Sequence, residues 1–464
     1  MPAPRSSRRT ARTSPGWQPP SLAIVIIVDG WTRSTFRSLL DEGMLPELAD
    51  WLGQGGELIH DVISVIPSVS LASHATLLTG QPPRRHGIPA HLWMHPVSRQ
   101  VVNYQTRAVR RLNSDLTPDT ATVFEYYPDS TATQTLVTRG ASSVTRLATQ
   151  NSLRLLRRMT SQLRRTPWGL HVCWLPAGDT AAHRFGPDSV EVAREMRTVS
   201  TAVGELLDEL QKLGVRQRTS LVLVPDHGHR RSLTSTPLQR VQNALRDVAP
   251  TWDVRVNPVV ALGPTAPDDV VALTSGGSSL HVYPPDHLGP RGAGELIEAM
   301  SGCGEFGLVV GQLTDSSHLV ASADGTARLE WQDGKTDAHY TVTSGSDPLR
   351  LALDESGTID LDTPRLDQPY PDFVAQYLSS IVPGRSAPIL AFAQPNRYFT
   401  TGPRPAWRFG FHRGSHGGPL ADEVLVSAIV QRAEARAGEM PNGPVRSRDL
   451  LRFCGILPLL DGPS

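Results

Sequence analysis

Cysteine is scarce in this 464-residue chain, where Cys173, Cys303 and Cys454 stand far apart and their odd number leaves at least one unpaired. The scarcity argues against a disulfide scaffold and against a cysteine-based zinc site, and it favours a reducing compartment. An arginine-rich start precedes the apolar run "LAIVIIV", but no small-residue cleavage site follows that run. We therefore expect a cytoplasmic protein.

An excess of either charge is also missing, since 45 Lys and Arg balance 45 Asp and Glu. Nothing in that balance favours a nucleic acid or a membrane surface as partner. No apolar run reaches the roughly 18 residues that a membrane helix needs. The lipase-type G-x-S-x-G elbow, the H-E-x-x-H motif and the phosphate-binding loop are absent too. We expect a small-molecule substrate, with no dedicated nucleic-acid site and no membrane contact, and the oligomeric state stays open.

Short apolar runs alternate with helical segments along the chain. "LAIVIIVDG", "GLHVCWLPAGD" (169–179), "TSLVLVPDHGH" (219–229) and "APILAFAQP" (387–395) each read as a buried strand. The alternation predicts an α/β fold with a mostly parallel central sheet sandwiched by helices. "APILAFAQP" is expected to be a fourth strand of that sheet.

The residue pattern changes between about residues 275 and 385, where polar and apolar residues alternate between turns of Gly and Asp. This pattern predicts a small antiparallel meander within an inserted α+β subdomain. The predicted organisation is a disordered basic tail (1–20), a catalytic core in two parts (21–274 and 386–464) and the inserted subdomain (275–385).

Acidic residues end three of the predicted strands, and ligands bind at the carboxyl ends of strands in such sheets. His183 follows Asp179 by four residues, a spacing that puts both on one face if the segment is helical. His227 directly follows Asp226, so the two side chains can point toward different ions. Carboxylates mixed with imidazoles suit Zn²⁺ or Mn²⁺ better than Ca²⁺. The candidate ligands are Asp29, Asp179, His183, Asp226, His227 and His416.

Each of these residues alone has an ordinary structural interpretation as a turn, cap or loop residue. Their shared position at strand ends and glycine turns favours a common site.

Ser70, in "PSVSLASHATLLTG", has two compatible interpretations. It could cap a helix that ends at Gly80, or it could be a nucleophile at a helix N-terminus, where free amide hydrogens bind phosphate. A serine hydroxyl attacks poorly unless a metal ion or a base activates it.

The order of the motifs "VDG", "PSVSLASH…LLTGQPPRRHGI", "GDTAAHRFGP", "PDHGH" and "GSHGG" is similar to that of the alkaline phosphatase superfamily. It most resembles the nucleotide pyrophosphatase/phosphodiesterase (type I phosphodiesterase) branch. The motifs span about residues 29 to 418. The resemblance implies an alkaline-phosphatase-like fold and a nucleophile at Ser70, where branch members commonly carry threonine.

The resemblance further implies two zinc ions and a phosphoserine intermediate, while the ligand chemistry leaves manganese as the alternative metal. One ion would be held by Asp179, His183 and His416. The other would be held by Asp29, Asp226 and His227, with Ser70 bound to it.

The chain departs from the branch pattern at two places. "ASH" (72–74) replaces the usual "PNH", and His91 stands where an Asn normally binds a phosphoryl oxygen. His91 could perform the role of that Asn, favour a more highly charged phosphomonoester, or be a surface-loop residue. Trp93 could stack on a leaving group or pack under its loop, and His229 could reach the phosphate or lie in a solvated loop.

The leading hypothesis is a two-metal phosphohydrolase that cleaves phosphodiester or nucleotide pyrophosphate bonds through Ser70. A phosphomonoesterase on the same site is the first alternative, and a phosphonate hydrolase or a phosphomutase-type transferase is the next. The chain could instead be a non-catalytic binding module rather than an enzyme. The presence of residue types able to bind metal at all the ligand positions argues against this hypothesis.

Overall fold

A computed structural model describes residues 17–95, 97–256, 265–285, 287–367, 369–400, 412–433 and 442–459. Residues 1–16 of the predicted basic tail lie outside the described residues. Among the described residues, no helix combines the length and apolarity needed to cross a bilayer. The compartment stays a prediction.

The secondary structure alternates between strands and helices. The strands are β1 (Leu22–Val28), β2 (Glu57–Ile63), β3 (Leu92–Met94), β4 (Val101–Asn103), β5 (Ser130–Thr133), β6 (Ser143–Thr145), β7 (Gly169–Leu175), β8 (Thr219–Pro225), β9 (Arg230–Arg231), β10 (Thr234–Pro237), β11 (Val254–Val256), β12 (Val270–Ser275), β13 (Ser279–Tyr283), β14 (Phe306–Thr314), β15 (Ser317–Ser322), β16 (Gly325–Glu330), β17 (Asp337–Gly345), β18 (Thr358–Asp360), β19 (Ile389–Ala393), β20 (Arg397–Thr400), β21 (Gly414–Ser415), β22 (Leu425–Gln431) and β23 (Val445–Arg446).

The α-helices are α1 (Arg33–Asp41), α2 (Pro46–Gly53), α3 (Ser70–Thr79), α4 (Pro83–His86), α5 (Leu112–Asp115), α6 (Ser152–Leu163), α7 (Ala177–Phe185), α8 (Val190–Lys212), α9 (Leu238–Val248), α10 (Pro290–Ser301), α11 (Phe373–Ser380), α12 (Ala421–Val424) and α13 (Ser447–Phe453). Short 3₁₀ turns cover Arg107–Arg111, Val123–Tyr126 and Arg216–Arg218.

The first sheet has eight strands in the described residues, in the order β23-β2-β22-β8-β1-β7-β5-β6. Strand β1 lies parallel between β8 and β7, and β5 extends the parallel arrangement beyond β7. Strand β22 runs antiparallel to both of its neighbours. This mostly parallel sheet confirms the predicted α/β fold.

Strand β1 is apolar throughout because both of its faces are covered. Val25 and Ile27 pack into one hydrophobic cluster with residues of α3 and α13. Ile24 and Ile26 pack into a second cluster with residues of α2, α6 and α8. The sheet is therefore sandwiched between helices, and its strand ends are held rigidly.

The second sheet has nine strands in the described part of the chain, in the order β11-β12-β13-β19-β14-β15-β16-β17-β18. Strands β15, β16 and β17 form the antiparallel meander that the sequence predicts. The strands of this sheet begin at Val254 and include β19, so they extend beyond 275–385 on both sides. Whether 275–385 behaves as a separate unit stays a prediction.

The prediction that "APILAFAQP" joins the parallel sheet is wrong. Its strand, β19, pairs antiparallel with β13 and β14 in the second sheet. Leu390 and Phe392 pack on one face of that sheet, and Ile389 and Ala391 pack on the other. Burial of both faces produces the same continuous apolar run that a parallel strand would show.

Candidate active site

The ends of three neighbouring parallel strands bring the predicted carboxylates together. Val28 of β1 lies level with Leu175 of β7 and Pro225 of β8. Asp29 and Asp226 therefore leave the same sheet edge side by side. Helix α7 begins two residues after β7 and carries Asp179 in its first turn.

Three imidazoles surround one oxygen of Asp179. The Nε2 atoms of His183, His229 and His416 lie 3.3, 3.2 and 3.5 Å from Asp179 Oδ1. Asp179 and His183 lie four residues apart in α7, as predicted. The four residues, called here the Asp179 group, place their ligand atoms within 4.8 Å of one another.

The three imidazoles of the Asp179 group are oriented in the same way. Each ring donates its Nδ1–H to a backbone carbonyl, and its Nε2 faces Asp179. The acceptors are Gly414 O for His183 (2.9 Å), Gly30 O for His229 (3.2 Å) and Ser68 O for His416 (2.9 Å). This is the orientation that histidine ligands of metal ions adopt.

Asp29, Asp226 and His227 form a second set of close ligand atoms, called here the Asp29 group. His227 Nε2 lies 3.5 Å from Asp29 Oδ1 and 3.7 Å from Asp226 Oδ2. Trp174 Nε1 donates to Asp29 Oδ2 at 2.9 Å, and Gly30 N donates to Asp226 Oδ1 at 3.2 Å. One oxygen of each carboxylate is thus anchored while the other faces His227.

Buried polar atoms without a hydrogen-bond partner in the described residues mark both groups. They are Asp29 Oδ1, Asp179 Oδ1, Asp226 Oδ2 and His229 Nε2. Leaving such atoms unpaired in a protein interior costs free energy, so their concentration in one place needs a further partner. Oxygen and imidazole donors in this arrangement fit a divalent transition-metal ion in each group.

The electrostatics of Asp29 and of two imidazoles point the same way, whereas at His183 the charge of Asp179 outweighs burial and raises the pKa. Burial raises the pKa of Asp29 well above its usual value, and the negative charges of Asp226 and Asp179 raise it further. Burial lowers the pKa of His229 to about 4 and that of His416 well below its usual value. Crowded carboxylates repel one another, and neutral imidazoles keep a lone pair free. A cation would relieve the repulsion between the carboxylates and would bind the free lone pairs of the imidazoles.

Ser70 is the first residue of α3, and Val69 occupies the cap position, with no side-chain cap hydrogen bond. The interpretation of Ser70 as a helix cap is therefore wrong, whereas the predicted stop at Gly80 is confirmed by its left-handed φ of 62°. Ser70 Oγ lies 3.2 Å from His227 Nε2. Because His227 Nδ1 donates to Gly228 O at 3.0 Å, its Nε2 accepts the hydroxyl hydrogen.

The model of the type I phosphodiesterase/nucleotide pyrophosphatase family matches residues 23–419. The chain belongs to this family. The match covers most of the chain and confirms the resemblance read from the motif order.

Among curated proteins, an uncharacterized pyrophosphatase/phosphodiesterase of Schizosaccharomyces pombe is 25% identical over 227 residues, or 45% of this chain and 44% of that protein. Human ectonucleotide pyrophosphatase/phosphodiesterase family member 1 is 34% identical over 58 residues, or 12% of this chain and 6% of that protein. The chain thus matches less than half the length of these curated relatives.

Solved structures share the fold over nearly the whole chain. Murine ectonucleotide pyrophosphatase/phosphodiesterase 5, an inactive threonine-to-alanine variant in complex with AMP, has a TM-score of 0.58 at 13% identity and covers 96% of this chain and 97% of its own. Phosphonoacetate hydrolase of Sinorhizobium meliloti, with phosphonoformate, has a TM-score of 0.58 at 16% identity and covers 97% of this chain and 99% of its own. These likenesses establish an alkaline-phosphatase-like fold.

His91, where the family pattern has Asn, is not a surface residue, since it is only 8% exposed. Its backbone N–H donates to Ser275 Oγ at 3.3 Å, and Gln105 Nε2 donates to its Nδ1 at 3.5 Å. Burial lowers the pKa of His91 to about 4. His91 is therefore neutral at pH 7, with its hydrogen on Nε2.

The structure favours packing over stacking for Trp93, which is 2% exposed and belongs to the core beneath its loop. The guanidinium of Arg385 lies 5.0 Å from its ring centroid. His229 does not lie in a solvated loop, because it is fully buried within the Asp179 group.

Two further histidines border the site and were missed by the sequence reasoning. His74, four residues after Ser70 in α3, places its Nε2 3.2 Å from Asp226 Oδ2. The i, i+4 spacing was the available signal. The ring of His412 lies 4.8 Å from that of His183 and stacks on Tyr398, and no local pattern indicates this.

Proposed function

We propose that the chain is a two-metal phosphohydrolase that cleaves phosphodiester or nucleotide pyrophosphate bonds through Ser70. The observation that carries the proposal is the position of Ser70 Oγ, 3.2 Å from His227 Nε2 and free of any capping role. Two divalent ions, Zn²⁺ in preference to Mn²⁺, would activate the attacking hydroxyl and stabilise the leaving oxygen when bound to the Asp29 and Asp179 groups.

The first step forms a bond between Ser70 Oγ and phosphorus and breaks the bond from phosphorus to the leaving alcohol or phosphate. The hydroxyl proton passes to solvent, and a leaving alkoxide takes up a proton from solvent. Water then attacks the phosphorus of the phosphoserine and breaks its bond to Ser70 Oγ, which releases the phosphate monoester and restores the hydroxyl, so each cycle consumes one water. The ten-residue helix α3 begins at Ser70, and its first backbone N–H groups favour the negative charge of the phosphate.

A neutral His91 supports a diester over a monoester as substrate. A phosphodiester carries one negative charge, whereas a phosphomonoester at pH 7 carries between −1.5 and −2 by the usual phosphate pKa of about 6. With its pKa at about 4, His91 offers one N–H donor and no positive charge to a phosphoryl oxygen. It would thus take the place of the family's Asn.

The proposal is tested by turnover of bis-p-nitrophenyl phosphate, a nucleotide diester, p-nitrophenyl phosphate and phosphonoacetate by the zinc-loaded protein. We expect kcat/KM to be highest for one of the diesters. A strong preference for p-nitrophenyl phosphate or phosphonoacetate would replace the diesterase assignment with the corresponding alternative. Turnover of none of them, with less than one equivalent of metal bound, would indicate the non-catalytic binding module.

A further inference from the structure

His229 is built into the Asp179 group as firmly as the residues that the family pattern assigns there. Its Nε2 is the nitrogen nearest to Asp179 Oδ1, at 3.2 Å against 3.3 Å for His183 and 3.5 Å for His416. The side chain is fully buried, and its Nε2 has no hydrogen-bond partner in the described residues. A buried nitrogen aimed at a carboxylate and two other imidazoles indicates a missing partner.

The backbone is arranged to hold this imidazole in place. Strand β9 follows His229 and pairs antiparallel with β21, which precedes His416, so the two histidines approach from adjacent strands. Gly30 leaves room for the ring, because a Cβ at that position would lie 2.6 Å from His229 Cε1. The Gly30 carbonyl also accepts the Nδ1–H at 3.2 Å and fixes Nε2 as the free nitrogen.

We propose that His229 is a fourth protein ligand of the ion in the Asp179 group, an assignment that rests on the proposed two-metal function. That group would then offer three imidazoles and one carboxylate. The Asp29 group offers two carboxylates and one imidazole, together with the Ser70 hydroxyl. The two halves of the centre therefore differ in ligand chemistry.

Different ligands select different metals. Imidazole suits Zn²⁺ and Co²⁺, whereas carboxylate and hydroxyl oxygens also accept Mn²⁺ and Mg²⁺. Four protein ligands hold Zn²⁺ tightly in a tetrahedral shell, which can expand to five-coordinate when the leaving oxygen binds. The Asp179 group thus binds the first equivalent of Zn²⁺ or Co²⁺ and rejects Mn²⁺, and the Asp29 group fills second and discriminates less.

The test is a Co²⁺ titration of the metal-free full chain, followed by visible absorption and calorimetry. The wild type should bind two equivalents in two steps, and the first should give the intense visible bands of tetrahedral cobalt. In His229→Gln, the first step should weaken by at least about 10-fold, the lower end of what even an outer hydrogen-bond partner of a ligand contributes. Its bands should also change, while the affinity of the second step stays within about twofold.

His171→Gln is the matched control. His171 is also buried, but its ring nitrogens contact Thr131 Oγ1 at 2.8 Å and Thr166 O at 2.9 Å. Its substitution should leave both cobalt steps and the spectrum unchanged. If His229→Gln fails to fold, His229→Met keeps the side-chain volume, removes the ring nitrogens and should show the same loss. Excess Mn²⁺ should displace only the second equivalent of Co²⁺ from the wild type.

An unchanged first step and spectrum in the His229 variants would overturn the ligand assignment and leave the two-metal hydrolase standing. Displacement of both equivalents by Mn²⁺ would overturn the selectivity. A wild type that binds no Co²⁺ would instead remove the proposed function itself.

Discussion

The substitution Ser70→Ala separates catalysis from structure because it removes a single oxygen. The hydroxyl makes no cap hydrogen bond and contacts His227 Nε2. Loss of one such hydrogen bond should reduce the free energy of unfolding by about 1 kcal/mol. Loss of the attacking atom should reduce kcat by at least about 10³-fold, which corresponds to about 4 kcal/mol in the activation barrier.

The assay is kcat for bis-p-nitrophenyl phosphate at saturating zinc, with urea unfolding and metal analysis of the same samples. Ser73→Ala is the matched control, because Ser73 is buried in the same helix and its Oγ contacts Ser64 Oγ at 3.2 Å. The control should keep kcat within a few-fold of the wild type. A Ser70→Ala variant that has wild-type metal content and retains kcat within 10-fold would contradict the role of Ser70 as the nucleophile.

Substitutions at three other residues test the ligands, the substrate contact and the scaffold. Asp226→Asn can keep the hydrogen bond from Gly30 but replaces a charged ligand atom, so elemental analysis should show that at least one metal ion is lost. Full occupancy by two ions would contradict the assignment of Asp226 as a ligand. His91→Ala should lower kcat/KM for a diester by about 10-fold or more, whereas His91→Asn should preserve it. Because the pKa of His91 is about 4, the wild type and His91→Asn should have the same pH profile of kcat/KM between pH 5 and 9. A titration step in the wild type that is absent from His91→Asn would refute this. Arg446→Met leaves the buried carboxylate of Asp372 without its paired cation, so urea unfolding should show that the free energy of unfolding falls by about 3–5 kcal/mol. A fall below about 1 kcal/mol would show that the ion pair contributes little to stability.

The sequence predicted the parallel core and its acidic edge because local signals carry both. A seven-residue apolar strand such as β1 shows burial on two faces, and the residue that follows it must emerge at the sheet edge. The helical spacing of Asp179 and His183 is local as well. These features need no knowledge of which strands pair.

The features that were mispredicted or missed depend on long-range pairing. β19 is as apolar as a parallel strand, and only its partners β13 and β14 place it in the second sheet. The sequence left both a phosphate contact and a solvated loop open for His229, because nothing near it in the sequence shows that β9 pairs with β21. Serine is a residue type that commonly caps helices, but Val69 and not Ser70 occupies the cap position of α3.

Anomalous diffraction at the zinc edge, from crystals of the zinc-loaded protein, would locate the ions of the proposed two-metal centre. The proposed two-metal centre should give two peaks roughly 4 Å apart, one within about 2 Å of the Nε2 atoms of the Asp179 group and the other at that distance from Asp29 Oδ1 and Asp226 Oδ2. A single peak, or two peaks away from these atoms, would contradict it.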